Sequence, residues 1–405
     1  MPIDHRLLTG CIAITLLAVS IANAGHPVPF DVQLLTVDGN EGCDVADFDG
    51  DDKLDVAAGR NWYRNGDWVP RPLRQIADWN GYVESNGEFA YDVNADGRPD
   101  IVSGSFLPSQ VFWYENPGEE GLRLGQFWNQ HLLADTGFSQ NEAAFLHDIN
   151  GDGVPEFIFD SWNKTHPLLV WSFSTEEREV ETKQGNKTVT VKQTVPALKR
   201  HTIGDSGNGH GMAFGDLNND GREDILVGTG WYERPEGDPL TAAWVWHPDW
   251  EDLHAACPCQ IRDLDGDGKT DLIWGKGHNY GTYVWWGRGP DANGKLQFES
   301  QTIDESFSQP HAIEFIDLDG DGQDEIVTGK RYRAHNGKDP GGKDKLIILY
   351  YTFDPATKTF GRHVINEGQV GIGLQIRAAD LDDDGDLELV VAGKDGTQIL
   401  WNKRK

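Results

Sequence analysis

Asp263-Leu264-Asp265-Gly266-Asp267-Gly268-Lys269-Thr270-Asp271 sets carboxylates at positions one, three, five and nine of a nine-residue stretch, with glycines between them. Acids at alternate positions of a tight loop point inward, and glycine permits the turn. Six further copies begin at Asp47 (DFDGDDKLD), Asp92 (DVNADGRPD), Asp148 (DINGDGVPE), Asp216 (DLNNDGRED), Asp317 (DLDGDGQDE) and Asp380 (DLDDDGDLE). Asp/Gly-rich turns are common one at a time, but seven in phase define a repeat.

Each acidic loop follows about six residues of strand character and precedes a β-rich run ending in small residues, as in Asp224-Ile225-Leu226-Val227-Gly228. A third strand with an aromatic residue comes next: Trp62-Tyr63, Trp113-Tyr114, Trp171, Trp231-Tyr232, Trp285-Trp286, Tyr350-Tyr351 and Trp401. Recurrence in every repeat marks these rings as core packing. A fourth strand closes the unit, as in Arg200-His201-Thr202-Ile203 and Arg362-His363-Val364-Ile365. Four antiparallel strands repeated seven times bury both faces when the sheets are arranged radially. The fold expected is all-β, a seven-bladed β-propeller of four-stranded antiparallel blades. The last repeat stops after its third strand, and Asp31 to Thr36 supplies a spare strand pattern, so the N-terminal strand is expected to close the ring.

The repeat leaves no room for a second domain in 405 residues. Residues 1–24 read as a secretory signal, with Arg6, an apolar stretch from Cys11 to Ile21 and Ala22-Asn23-Ala24 as cleavage site, leaving 25–405 as the propeller. The expected location is secreted or periplasmic. No other run approaches the length of a membrane span. Cys43, Cys257 and Cys259 are too few for a disulfide scaffold, and Cys43 and Cys259 read as buried thiols. A formal charge of -31 argues against nucleic acid or anionic membrane as a partner and for bound cations.

Oxygen-only ligands of this number and charge suit structural calcium at several sites. The ligands expected are Asp47, Asp49, Asp51 and Asp55; Asp92, Asn94, Asp96 and Asp100; Asp148, Asn150, Asp152 and Glu156; Asp216, Asn218, Asp220 and Asp224; Asp263, Asp265, Asp267 and Asp271; Asp317, Asp319, Asp321 and Glu325; and Asp380, Asp382, Asp384 and Glu388. The asparagines weaken loops two to four. Asp52 stands where most copies have a glycine, at a position expected to need positive φ.

These seven stretches resemble the FG-GAP/VCBS repeats of integrin-α-type propellers and of many secreted bacterial proteins. The resemblance covers essentially the whole mature chain and implies the fold and calcium, with no activity attached. The family's Phe-Gly pair survives only as Phe214-Gly215, and nothing resembles an integrin ligand-binding insertion.

In propellers of this type the acidic loops share one face, so function is sought on the other. There, six residues before each acidic loop, stand Glu41, Asn86, Glu142, His210, Cys257, His311 and Leu374. After the second strands come Arg60, Ser105, Asp160, Thr229, Lys276, Lys330 and Lys394, extended by His278, Tyr280, Arg331, Tyr332 and His335. In so acidic a chain this local concentration of cations and imidazoles points to a site for an anionic or oxidised carbohydrate. The chemistry expected is β-elimination or dehydration, that of a carbon–oxygen lyase acting on carbohydrate. His210 or His311 is the base, Tyr280 or Tyr332 the acid, and Lys276, Lys330 and Arg331 neutralise charge, with His278 beside them. Lyases of acidic polysaccharides and the propeller of fungal aldos-2-ulose dehydratase are similar in architecture. A non-catalytic binding or adhesion module on the same face is the alternative. His210, Cys257 and His311 share one repeat position, which admits a second, transition-metal site. Glu41 and Glu142 admit a glycosidase pair, which is less favoured.

Overall fold

In a computed structural model of the chain, the described residues are 27–184, 187–205, 209–251, 253–255 and 258–404. The expected signal segment and Cys257 lie outside them.

Seven four-stranded antiparallel sheets form the body. Blade 1 comprises Cys43–Ala46, Asp55–Ala58, Asn61–Tyr63 and Pro70–Pro72, and its two outer prolines are tolerated because an edge strand need not donate to a ladder. Blade 2 runs through Phe89–Tyr91, Asp100–Ser103, Gln110–Glu115 and Asn129–Asp135. Blade 3 holds Asn141–His147, Glu156–Ser161, Leu168–Gln184 and Lys187–Gly204, the last two forming a long hairpin. Blade 4 is Met212–Gly215, Asp224–Val227, Gly230–Glu233 and Val245–His247. Blade 5 is Gln260–Arg262, Asp271–Gly275, Tyr280–Pro290 and Leu296–Ser308. Blade 6 is Pro310–Ile316, Glu325–Lys330, Ile347–Asp354 and Thr359–Glu367. Blade 7 has Ile376–Ala379, Glu388–Gly393 and Gly396–Asn402, and Phe30–Thr36 completes it, pairing Phe30 with Asn402 and Val32 with Leu400. The N-terminal strand therefore closes the ring as expected.

The second strand of each blade is buried on both faces, because alternate side chains meet different neighbours. In blade 1, Val56 packs toward blade 7 and Ala57 toward blade 2. In blade 2, Ile101 turns back to blade 1 and Val102 forward to blade 3. Seven apolar clusters result, each shared by two adjacent blades, and the series closes from blade 7 to blade 1. The third-strand aromatics lie in these clusters, as their recurrence implied. Leu226, 1% exposed between blades 4 and 5, tests this packing. Leu226→Ala is expected to cost about 2–5 kcal/mol in urea unfolding, and a cost under about 1 kcal/mol would show that the seam is not tightly packed.

The acidic loops all join first to second strands, at one end of the channel. In every loop the position-nine carboxylate accepts the N–H of position two, as in Leu264 to Asp271 at 3.0 Å and Leu381 to Glu388 at 2.9 Å. Position six is left-handed throughout, with Asp52 at φ 66 and Gly268 at φ 81, so the conformation expected of Asp52 is observed. Position four is left-handed too, occupied by Gly50, Ala95, Gly151, Asn219, Gly266, Gly320 and Asp383, a requirement that the mixed residues there concealed.

Candidate active site at the channel mouth

At the end opposite the acidic loops, a cavity of about 720 Å³ opens over the channel. Its two walls differ in kind.

On the side of blades 1 to 3 the wall is aromatic. A short hairpin after blade 1, Asp78–Trp79 with Tyr82–Val83, presents Trp79 and Tyr82. Phe106 and Trp162 follow the second strands of blades 2 and 3. Trp79 lies over Phe106 with centroids 5.8 Å apart at 23°, and Tyr82 meets Trp79 edge-on. These rings break the third-strand periodicity of the core aromatics, which is the signal they carry in the sequence.

The ionisable wall is built by blades 4 to 7 together with Glu41 at the entry to blade 1 and Glu142 of blade 3. Arg331 is the hub: Nε and Nη2 donate to the two oxygens of Glu41 at 2.5 and 2.9 Å, and Nη1 donates to Glu142 Oε1 at 3.1 Å and His311 Nε2 at 2.8 Å. Lys394 Nζ reaches Glu41 at 3.2 Å and lies 4.1 Å from the Tyr82 ring centroid. His210 Nε2 is 3.0 Å from Glu142 Oε2 and 3.1 Å from His278 Nε2. His278 Nδ1 meets Asp339 at 3.0 Å, and Asp339 also receives His335 at 2.9 Å and Gln309 at 3.2 Å. The segment that carries Arg331, His335 and Asp339 is strained: Arg333, His335 and Asn336 all adopt left-handed φ between 46 and 58°. Such strain persists where surrounding contacts impose it, and it concentrates at functional sites.

Burial and charge together set the protonation. Burial pushes the Glu41 and Glu142 carboxyls up, but Arg331 with Lys394 overcomes this at Glu41, and His210 with Arg331 overcomes it at Glu142, so both stay below the usual carboxylate range. Burial opposes charge on His210, yet Glu142 raises its pKa. Burial and the neighbouring His210 bring His278 down to about 4, and burial with Arg331 holds His311 well below the usual imidazole value. Burial lowers Lys394 to about 8, against the pull of Glu41.

The residues expected at the mouth separate into two groups. His210, His278 and Arg331 line the cavity, with Glu41, Asn86 and Glu142. His311 is fully buried behind them, its Nε2 taken by Arg331, and it offers no face to the cavity. Lys330 is also buried, and its ammonium is spent on Ser308, Gln309 and the Gly341 carbonyl. Lys276 lies over the Tyr283 ring, Tyr280 bonds Asp344, and neither they nor Tyr332 line the cavity. Asp339 and the aromatic wall were missed: Asp339 looks like one more surface acid until the fold brings its loop against His278. Cys43 and Cys259 are buried, as expected.

At the other end, ligand atoms of Asp47, Asp49 and Asp55, of Asp263, Asp265 and Asp271, and of Asp317, Asp319 and Glu325 converge within 4.8 Å. Asp49 Oδ1, Asp317 Oδ1 and Glu388 Oε1 are buried with no hydrogen-bond partner. Burial lifts the position-nine carboxyls to about 7, as at Asp55, Glu325 and Glu388, and to about 6 at Asp271. An all-oxygen shell with orphaned buried oxygens and hard-to-ionise acids is the donor set that fits a hard divalent cation.

The fold is a seven-bladed propeller with one acidic loop in each blade. Residues 92–159 and 263–328 match the FG-GAP-like repeat family. No curated protein matches in sequence. Among solved structures, BBS1N in complex with ARL6DN is similar over 94% of this chain and 97% of its own, at 10% identity and a TM-score of 0.49. The exotype rhamnogalacturonan lyase YesX is similar over 93% of this chain and 73% of its own, at 11% identity and a TM-score of 0.45. Sqt1 of Saccharomyces cerevisiae follows at 10% identity, 94% and 99% coverage and a TM-score of 0.42. At such distances none of them speaks to ligand or chemistry. No helix among the described residues is long and apolar enough to cross a membrane.

Proposed function

We propose that the channel mouth binds a carbohydrate and acts on it as a carbon–oxygen lyase, in an exported propeller whose acidic loops hold calcium. The observation that carries this reading is the pairing of two unlike walls across one cavity. Trp79, Phe106 and Trp162 offer flat faces suited to the C–H side of a sugar ring, opposite a buried array of ionised and pKa-shifted groups.

β-Elimination removes the proton alpha to a carboxylate or carbonyl, turns that C–H electron pair into a double bond and expels the β-oxygen, which takes up a proton from water as it leaves. It needs a base and a cation facing the oxygen where charge develops. Lys394 suits the base: it lines the cavity, and burial brings its pKa to about 8, so the free amine is accessible near neutral pH. Arg331, which also lines the cavity, faces the developing charge. His311 is too deeply placed to abstract a proton itself.

The test is ultraviolet absorbance during incubation of the calcium-loaded protein with acidic polysaccharides and oxidised sugars. A rise is expected, and Lys394→Met is expected to cut kcat by about 10²–10⁴-fold with little change in KM. Because the base acts unprotonated, kcat/KM should climb with pH and level off above about 8. One observation favours a plain binding module: Arg331 and Lys394 are both already paired with Glu41. Calorimetric binding of a sugar with no product from any substrate would establish that second reading.

A further inference from the structure

We propose that His210, His278 and Glu142 form a transition-metal site at the floor of the mouth, distinct from the calcium loops at the opposite end. The argument begins with which atoms carry protons. His210 Nδ1 lies 2.5 Å from the Ala255 carbonyl, and His278 Nδ1 lies 3.0 Å from the Asp339 carboxylate. Both partners can only accept, so both Nδ1 atoms are donors and both Nε2 atoms are left to present lone pairs.

Those two Nε2 atoms then face each other at 3.1 Å, with Glu142 Oε2 3.0 Å from that of His210. Two imidazole lone pairs and a carboxylate oxygen at such distances repel unless a cation lies between them. A proton on His210 is the minimal solution, and a metal ion is the fuller one. Two ligands bound at about 2.0–2.1 Å to a four- to six-coordinate ion stand about 3.0–3.4 Å apart, which is the spacing here.

The supporting shell has the form that metal sites use. Each ligating imidazole is oriented through its other nitrogen by a carbonyl or carboxylate, and Asp339 is itself fixed by His335 and Gln309. Ligand atoms of Glu142, His210, His278 and His311 all lie within 4.8 Å of one another, and His311, whose Nε2 is held by Arg331, backs the other three from behind. Two imidazoles and a carboxylate suit zinc, cobalt, manganese or iron better than calcium, which prefers oxygen. His210, His278 and Glu142 all line the cavity, so the ion would keep a position open toward a ligand there. If the mouth is an active site, the ion would polarise a carboxylate or carbonyl oxygen of the bound sugar, leaving Lys394 to take the proton.

The test needs no substrate. The whole protein, stripped with a chelator and returned to excess calcium to fill the acidic loops, is titrated with Co²⁺ and followed by visible absorption. The expected result is one equivalent with ligand-field bands of a nitrogen-ligated ion, displaced by Zn²⁺. His278→Ala is expected to abolish the bands, and Asp339→Asn, a positioning change away from the ion, to weaken Co²⁺ binding by about 10–100-fold. Asp339→Asn also serves if His278→Ala fails to fold. Absence of the bands from the wild-type protein, or bands that survive both substitutions unchanged, would overturn the proposal.

Discussion

Chelation of calcium is expected to lower the melting temperature by on the order of ten degrees. A loop held at about 100 times its Kd gains about 2.7 kcal/mol, so the four loops with acids at every ligand position would supply about 11 kcal/mol together. That is comparable with the whole stability of an ordinary domain. The four are those beginning at Asp47, Asp263, Asp317 and Asp380; the other three carry Asn94, Asn150 or Asn218 and should contribute less. The dependence on pH has a definite sign. Without metal, burial raises the position-nine carboxyls above their unfolded values, which favours the fold at low pH and loses that contribution as pH rises through about 4 to about 7. Calcium needs the same carboxylates ionised. The gap in melting temperature between calcium-loaded and chelated protein should therefore widen from about pH 5 to about pH 7.5. A melting temperature indifferent to chelation would leave the loops as turns and solubilising acids only.

Replacing Arg331 with Met is expected to destabilise the protein by about 3–5 kcal/mol and, on the lyase reading proposed above, to abolish turnover. The guanidinium is buried and ties together Glu41 at the entry to blade 1, Glu142 in blade 3 and His311 in blade 6. Removing one partner of a buried pair costs mainly because the other charge remains in a low-dielectric site. Lys394 stays beside Glu41 and holds the loss toward the lower end. The double variant Arg331→Met/Glu41→Gln should recover only part of the stability, since it neutralises one carboxylate but leaves Lys394 without Glu41 and Glu142 without Arg331. Urea midpoints with unchanged m-values would check this. A single variant as stable as the wild type would show that Arg331 is not the hub.

The depth at which residues stand explains which site expectations met the cavity. Repeat position placed Glu41, Asn86, Glu142 and His210 at the mouth, because a propeller puts equivalent positions on equivalent radii. It treated His311 and Lys330 alike with them, although both turn into the protein, where Arg331 and the Ser308–Gln309 turn claim their polar atoms. Tyr280 and Tyr332 follow second strands as expected, but their side chains miss the cavity. The aromatic wall comes from a hairpin between blades 1 and 2 and from the loops after the second strands of blades 2 and 3, where strand periodicity has nothing to say.

The seven acidic stretches, the alternation of apolar residues between them and the spare strand Phe30–Thr36 determined the propeller, its closure and the positions of the candidate calcium ligands, because each is a local pattern repeated in register. Only the tertiary structure decided which side chains meet across the channel. His210 and His278 are 68 residues apart, and Arg331 and Glu41 290 apart. Their contacts depend on the angle between blades and the course of the strained loop from Arg331 to Asp339, neither of which has a local signature.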